Sequence, residues 1–219
     1  MKVYKSLYNH IINPESLFLA WGQFRRGKQH KTGVLEFERD LERHIFDLNR
    51  ELENKTYRHG PYTGFYINDP KRRHVHKATI RDRVLHHALF KVLNLVFDPT
   101  FIPDSFSCRI AKGTHRGVTK VAEMLRATSL NYSRPCYVLK CDIKKFFDSI
   151  EHATLLSILR KKIKDRDLIR LLTEIVESYP RRTRICERER ERERERKMLR
   201  NRSAYQQPYL PTFCQCLSE

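Results

Sequence analysis

The stretch YVLKCDIKKFFDSIEH, Tyr137 to His152, sets Asp142 where an apolar, β-favouring run ends, with Phe146 and Phe147 just beyond it. A carboxylate at a strand end is held by the backbone yet open to water, which suits it to a hard cation. The same position suits a turn-forming aspartate, so the acid alone leaves both readings open. A second chemical candidate is the run Lys71, Arg72 and Arg73 in the turn NDPKRR. Three cations at a hairpin tip can meet a phosphate chain, or simply be solvated.

Charge narrows the partner class. The 219 residues carry a formal net charge of +18, with a pI near 9.9. An excess of this size points to a polyanion, with nucleic acid foremost, over a merely soluble basic protein. No run reaches the ~18 apolar residues of a membrane span, and MKVYKSLYNH lacks a signal-peptide core. The expectation is a cytoplasmic protein with reduced thiols and no membrane. Its cysteines form no paired framework, and Cys214 and Cys216 stand too close for a zinc knuckle.

The elements that must position these residues are mostly helical. Leu17, Phe18, Trp21 and Phe24 form one apolar stripe, and Phe37, Leu41, Ile45, Leu48 and Leu52 another, joined by the basic loop RRGKQHKTG. GFYIND and HVHKATI read as two strands around NDPKRR. In RDRVLHHALFKVLNLVF, Val84, Leu85, Ala88, Leu89, Val92, Leu93, Val96 and Phe97 recur at helical spacing and predict one wide buried face. His86 and His87 are neighbours on that helix and point different ways, so no shared metal is expected. Asp82 in the first turn is accounted for by the helix dipole. Val118, Val121, Ala122 and Leu125 open a further helix, a strand is expected over Tyr137–Asp142, and two helices follow over Leu155–Ile163 and Leu168–Val176. The predicted class is α+β.

Taken in order, PKRR, IRDRVLHHAL, DSFSCRIAKGTHRG and CDIKKFFDSI resemble the N-terminal part of a bacterial-type reverse transcriptase, akin to those of group II introns, retrons and diversity-generating elements. The resemblance runs from about Leu7 to Tyr179, and DIKKFFDSI is its most specific piece. It implies right-hand polymerase fingers and the start of the palm, with an N-terminal helical lobe over 1–60, fingers and palm over 61–180, and a tail over 181–219. It implies that Asp142 is one of three carboxylates holding two Mg²⁺ ions for nucleotidyl transfer, helped by the backbone carbonyl of Ile143. Phe147 would lie under the incoming sugar, and Lys71 and Arg73 would contact the triphosphate. Arg72 would touch template phosphate, and Arg109 would lie near template or primer. The implied partners are an RNA template, a DNA primer and deoxynucleoside triphosphates. A non-catalytic nucleic-acid-binding remnant is the alternative, and a basic protein-interaction module a third reading.

One expected feature does not follow Asp142. The family's second carboxylate pair sits in a Tyr-x-Asp-Asp hairpin, and no such sequence occurs in these 219 residues. Two divalent cations about 4 Å apart repel by roughly 4 kcal/mol even at the dielectric of water, which one aspartate cannot offset. The chain instead enters ERERERERER and then RSAYQQPYLPTFCQCLSE. The repeat is expected to be disordered or a weakly helical, solvated segment. A GA dinucleotide repeat encodes Glu-Arg in any frame. With permitted codons, the last segment displaced by one nucleotide can read GLPISNLTSQLFANVYLN, close to the family's next palm motif. The expectation is a frameshift in or near the repeat, an inactive chain as it stands, and an uncovered face on Leu168–Val176.

Overall fold

Asn13 begins the helical lobe by accepting a hydrogen bond from the Glu15 N–H, and Pro14 occupies the first helical position, where its missing donor costs nothing. The helix that follows, α2 (Pro14–Arg25), comes after a short α1 (Tyr8–Ile12) and buries Leu17, Ala20, Trp21 and Phe24. The second stripe is split between α3 (Thr32–Arg39) and α4 (Leu41–Glu53), because Asp40 leaves the helical region at φ −117 and ψ 35. Phe37 therefore packs from α3, against Trp21 at 5.1 Å between ring centres, while Ile45, Leu48 and Leu52 pack from α4.

This computed structural model describes residues 4–68, 70, 72–107, 109–143 and 146–179. They lie in one compact unit, which runs to Tyr179. The Glu/Arg repeat and the tail lie outside the described residues.

Strands β1 (Thr63–Ile67) and β2 (Arg73–Lys77) form an antiparallel hairpin in the register Thr63↔Lys77 to Ile67↔Arg73. Every residue of β1 is exposed, so the hairpin projects from the core. Thr79 caps α5 (Ile80–Phe97) by accepting from the Asp82 N–H. That helix lies along α2 and brings Val84, Leu85, Ala88, Leu89 and Val96 into the core shared with Leu17, Phe24 and Ile45. Helices α1 to α4 thus share their core with α5. A 3₁₀ turn (Asp98–Thr100), α6 (Thr114–Thr128), a short α7 (Phe146–Ser149), α8 (His152–Lys162) and α9 (Arg166–Ser178) complete the described chain. The described residues are thus mainly helical, with one small sheet among them.

Two expectations need correction. The segment 137–142 is not a strand: its Tyr137, Val138 and Leu139 are 98, 71 and 88% exposed. A strand exists only with a ladder partner for its N–H and C=O groups, and none among the described residues supplies one. Nor is the face of α9 bare. Leu168, Leu171 and Leu172 are buried in the common core, because the N-terminal segment is stitched to the α8–α9 connection. Tyr4 and Lys162–Lys164 exchange backbone hydrogen bonds around a parallel bridge to Ile163. Asp165 both caps α9 and accepts from the Tyr8 N–H at 2.8 Å.

Candidate nucleotide and nucleic-acid site

The residues proposed from sequence fall on separate elements. Asp142 and Ile143 are exposed and belong to neither helix nor strand, and Phe147 belongs to α7. Lys71, and the side chains of Arg73 and Phe147, lie outside the described residues. Arg73 opens β2 opposite Ile67, so its backbone is fixed by the hairpin ladder. The guanidinium of Arg72 lies 4.1 Å from the Tyr66 ring centre, a cation–π stack on an exposed tyrosine. The same face carries His74, 4.7 Å from Tyr66, and His76, 4.6 Å from His74. Gly64 gives His74 its place: a Cβ there would meet the His74 Nε2 at 2.6 Å. Cations and stacked rings on one hairpin face can contact phosphate and base together.

Arg109 does something the sequence did not disclose. Its Nε and Nη2 donate to the two oxygens of Asp98 at 2.7 and 3.1 Å, a bidentate pair. Further donations reach the carbonyls of Ile102, Ser105 and Asp98. The guanidinium holds the Asp98 carboxyl below the usual carboxylate range. Here Arg109 closes the loop between α5 and α6, and each of these bonds is made within residues 98–109.

Asp82 is more than a partner of the helix dipole. It is fully buried, and accepts from the Tyr57 hydroxyl at 2.8 Å, the Gly60 N–H at 3.0 Å and the Thr79 hydroxyl at 2.6 Å. Gly60 is required there, since a Cβ would stand 2.8 Å from Thr79 and 2.9 Å from Asp82. His59 stacks on His86 at 5.3 Å and on Tyr62 at 4.7 Å. Tyr62 and His76 both meet Tyr179 edge-on, at 5.6 and 5.8 Å. Rings thus run without a break from the buried carboxylate to the hairpin face. The signal for this hub was present in Thr79-Ile-Arg-Asp82, a capping-box spacing that marks both ends as hydrogen-bonded.

Among the described residues no three His, Cys, Asp or Glu side chains converge as a metal site. Asp142 and the Ile143 carbonyl do not by themselves make a seat for two Mg²⁺ ions, so the described residues alone do not fit that group. No described helix is long and apolar enough to cross a membrane.

No protein-family model matches the chain. Over 183 residues it is 25% identical to the group II intron-encoded protein LtrA of Lactococcus lactis subsp. cremoris, covering 81% of this chain and 29% of that one. It is 24% identical over 133 residues to protein YkfC of Escherichia coli K12, covering 60% of this chain and 34% of YkfC. It is also 30% identical over 98 residues to an uncharacterised 91 kDa protein in the cob intron of Schizosaccharomyces pombe, covering 45% of this chain and 11% of that protein. The chain is a relative of group II intron-encoded proteins, one of the kinds of bacterial-type reverse transcriptase, beside those of retrons and diversity-generating elements, that its motifs resemble. It spans about a third or less of the length of these curated relatives.

Proposed function

We propose that the chain carries the fingers and the beginning of the palm of an RNA-directed DNA polymerase. The observation that carries this reading is DIKKFFDSI, with its solvent-facing Asp142, inside a chain related over 81% of its length to a group II intron-encoded protein. On this reading Asp142 and the Ile143 carbonyl are two ligands of a Mg²⁺ site whose remaining carboxylates are not among the described residues. Lys71 and Arg73 meet the incoming triphosphate, Phe147 screens its sugar, and Arg72 touches template phosphate. Arg109 acts near template or primer only indirectly, by shaping its loop. The partners are an RNA template, a DNA primer and deoxynucleotides. The repeat after Arg181 marks a shifted frame, and this 219-residue chain does not extend a primer alone.

The test is primer extension on an RNA template after sequencing the locus from the codon of Arg181 onward. A chain restored to the alternative frame should extend, and should lose extension on Asp142→Ala. Absence of a Tyr-x-Asp-Asp box in both alternative frames would sink the frameshift reading. Extension that survives Asp142→Ala would sink the role of that carboxylate. Phe147→Ala in the restored enzyme should admit ribonucleotides more readily. Unchanged sugar selection would remove its proposed part.

A second reading, a non-catalytic RNA-binding chain, is supported by the +18 charge and the Arg72–Tyr66 stack. It expects RNA affinity that falls with salt in a chain that never extends a primer.

A further inference from the structure

A cleft of about 460 Å³ opens between the end of α4 and helices α8 and α9. Its lining carries Lys55, Arg58, Arg160, Arg166 and Arg170 against Glu174 and Glu177, five cations to two acids, or +3. Two of the acids in and beside it are tied to its Lys55 and Arg58 and not to its other arginines. Glu174 accepts from Arg58 at 2.7 Å and from the His59 N–H at 3.3 Å. Asp167 is paired with Lys55 at 2.6 Å, and Asp165 caps α9 and holds Tyr8. Among the described residues Arg160, Arg166 and Arg170 reach no carboxylate; Arg170 instead stands beside the Tyr8 hydroxyl.

Two features make this more than a solvated face. Arg166 and Arg170 are four apart on α9, a like-charge pair that disfavours the helix by a few tenths of a kcal/mol in a chain already carrying +18. Lys55 sits at φ 61, just after α4, in the left-handed region where glycine is usual, and from there it reaches Asp167 across the cleft. Arg166 and Arg170 lie about 6 Å apart along the helix axis, and Arg160 continues them from the last turn of α8. Three arginines with no carboxylate partner of their own among the described residues, spread over two helices of one cleft, suit a chain of phosphates better than a single anion.

We propose that this cleft binds the phosphodiester backbone of RNA through Arg160, Arg166 and Arg170, as a contact separate from the hairpin and from Asp142. Lys55 and Arg58, tied to Asp167 and Glu174, hold its walls. The choice of RNA rests on the proposed function, whereas the site itself rests on the cleft.

The experiment uses the full chain and a labelled single-stranded RNA, with affinity read by fluorescence anisotropy between about 50 and 200 mM salt. For three lost phosphate contacts, R160Q/R166Q/R170Q should make the plot of log affinity against log salt shallower by about two. Near 0.1 M salt, affinity should fall by about a hundred-fold. R39Q/K91Q/R126Q removes the same charge from other helices and should change the slope far less. Because Arg170 stands against Tyr8, R160Q/R166Q is measured as well, with circular dichroism confirming the fold, and should give about two thirds of the effect. Wild-type affinity in the cleft variants, or an equal loss in the control, overturns the proposal whatever primer extension shows. Conversely, a restored enzyme that cannot extend would remove the polymerase reading and leave these slopes untouched.

Discussion

The hydroxyl of Tyr57 donates to the buried carboxylate of Asp82 at 2.8 Å, joining the segment after α4 to the first turn of α5. Both side chains lie in the core, and burial, then the Asp82 carboxylate, pushes the Tyr57 phenol far above its ordinary value. The phenol is therefore a permanent donor. Through Gly60 and Thr79 the same carboxylate fixes both ends of the segment that contains the hairpin. The hairpin's placement is set here, not by its own exposed strands.

Tyr57→Phe should consequently cost about 1–3 kcal/mol of unfolding free energy, the range for leaving one buried partner unsatisfied. Asp82→Ala should cost more, because it strands the Tyr57, Thr79 and Gly60 donors together. Chemical denaturation measures both. A loss below ~0.5 kcal/mol in each would mean that water replaces the carboxylate and that the hub does not hold the hairpin.

Acidification should weaken the fold through His86. Burial, then the neighbouring His59, lowers its pKa from 6.5 to about 4, with His87 and Arg83 acting the same way and Asp82 opposing them. The folded ring thus binds its proton more weakly than the unfolded one. Below pH ~6.5 the unfolded chain gains the proton first, so stability falls until about pH 4 and then levels. The full loss is at most about 3 kcal/mol. Melting of wild type and His86→Gln at several pH values checks this: the variant should show a flatter profile between those limits, and a parallel profile would remove His86 as the cause.

The long helix α5 was legible because its apolar residues repeat over many turns, which only one buried face explains. The hairpin was legible from its turn chemistry. The break at Asp40 was not, since the apolar period continues across it and only the backbone angle shows the bend. Tyr137–Leu139 read as a strand because those residue types favour one, but propensity cannot supply the neighbour that a ladder needs. Arg109 shows the limit for sites. A basic residue in a polar loop reads alike whether it meets phosphate or an aspartate eleven residues earlier, and only coordinates separate the two.

The Arg109–Asp98 clamp predicts a local effect, not a global one. Arg109→Ala should speed amide exchange at Gly113 and Ser105, whose N–H groups bond the Phe106 and Ile102 carbonyls within the loop it closes. The melting temperature should hardly move, because the clamp touches none of the core. Arg109→Lys should not restore protection, since one ammonium cannot reproduce a planar fork bonded to a carboxylate and three carbonyls. Full protection in the lysine variant would show that charge alone closes the loop.

Asp165 should matter more than its partial exposure suggests. One oxygen caps α9 through the Asp167 and Leu168 N–H groups, and the other accepts from the Tyr8 N–H across 157 residues of sequence. Asp165→Ala removes the cap and the seam together, for about 1–3 kcal/mol. Asp165→Asn keeps a capping oxygen but replaces the other acceptor with a donor group facing the Tyr8 N–H, so it should recover only the cap's share. Hydrogen exchange at Tyr8 distinguishes the two losses: it should accelerate in both variants, while Leu168 stays protected in the asparagine one. If Tyr8 exchange is unchanged in both, the N-terminal segment is held by the Tyr4–Ile163 bridge alone, and the burial of Leu168, Leu171 and Leu172 does not depend on the carboxylate.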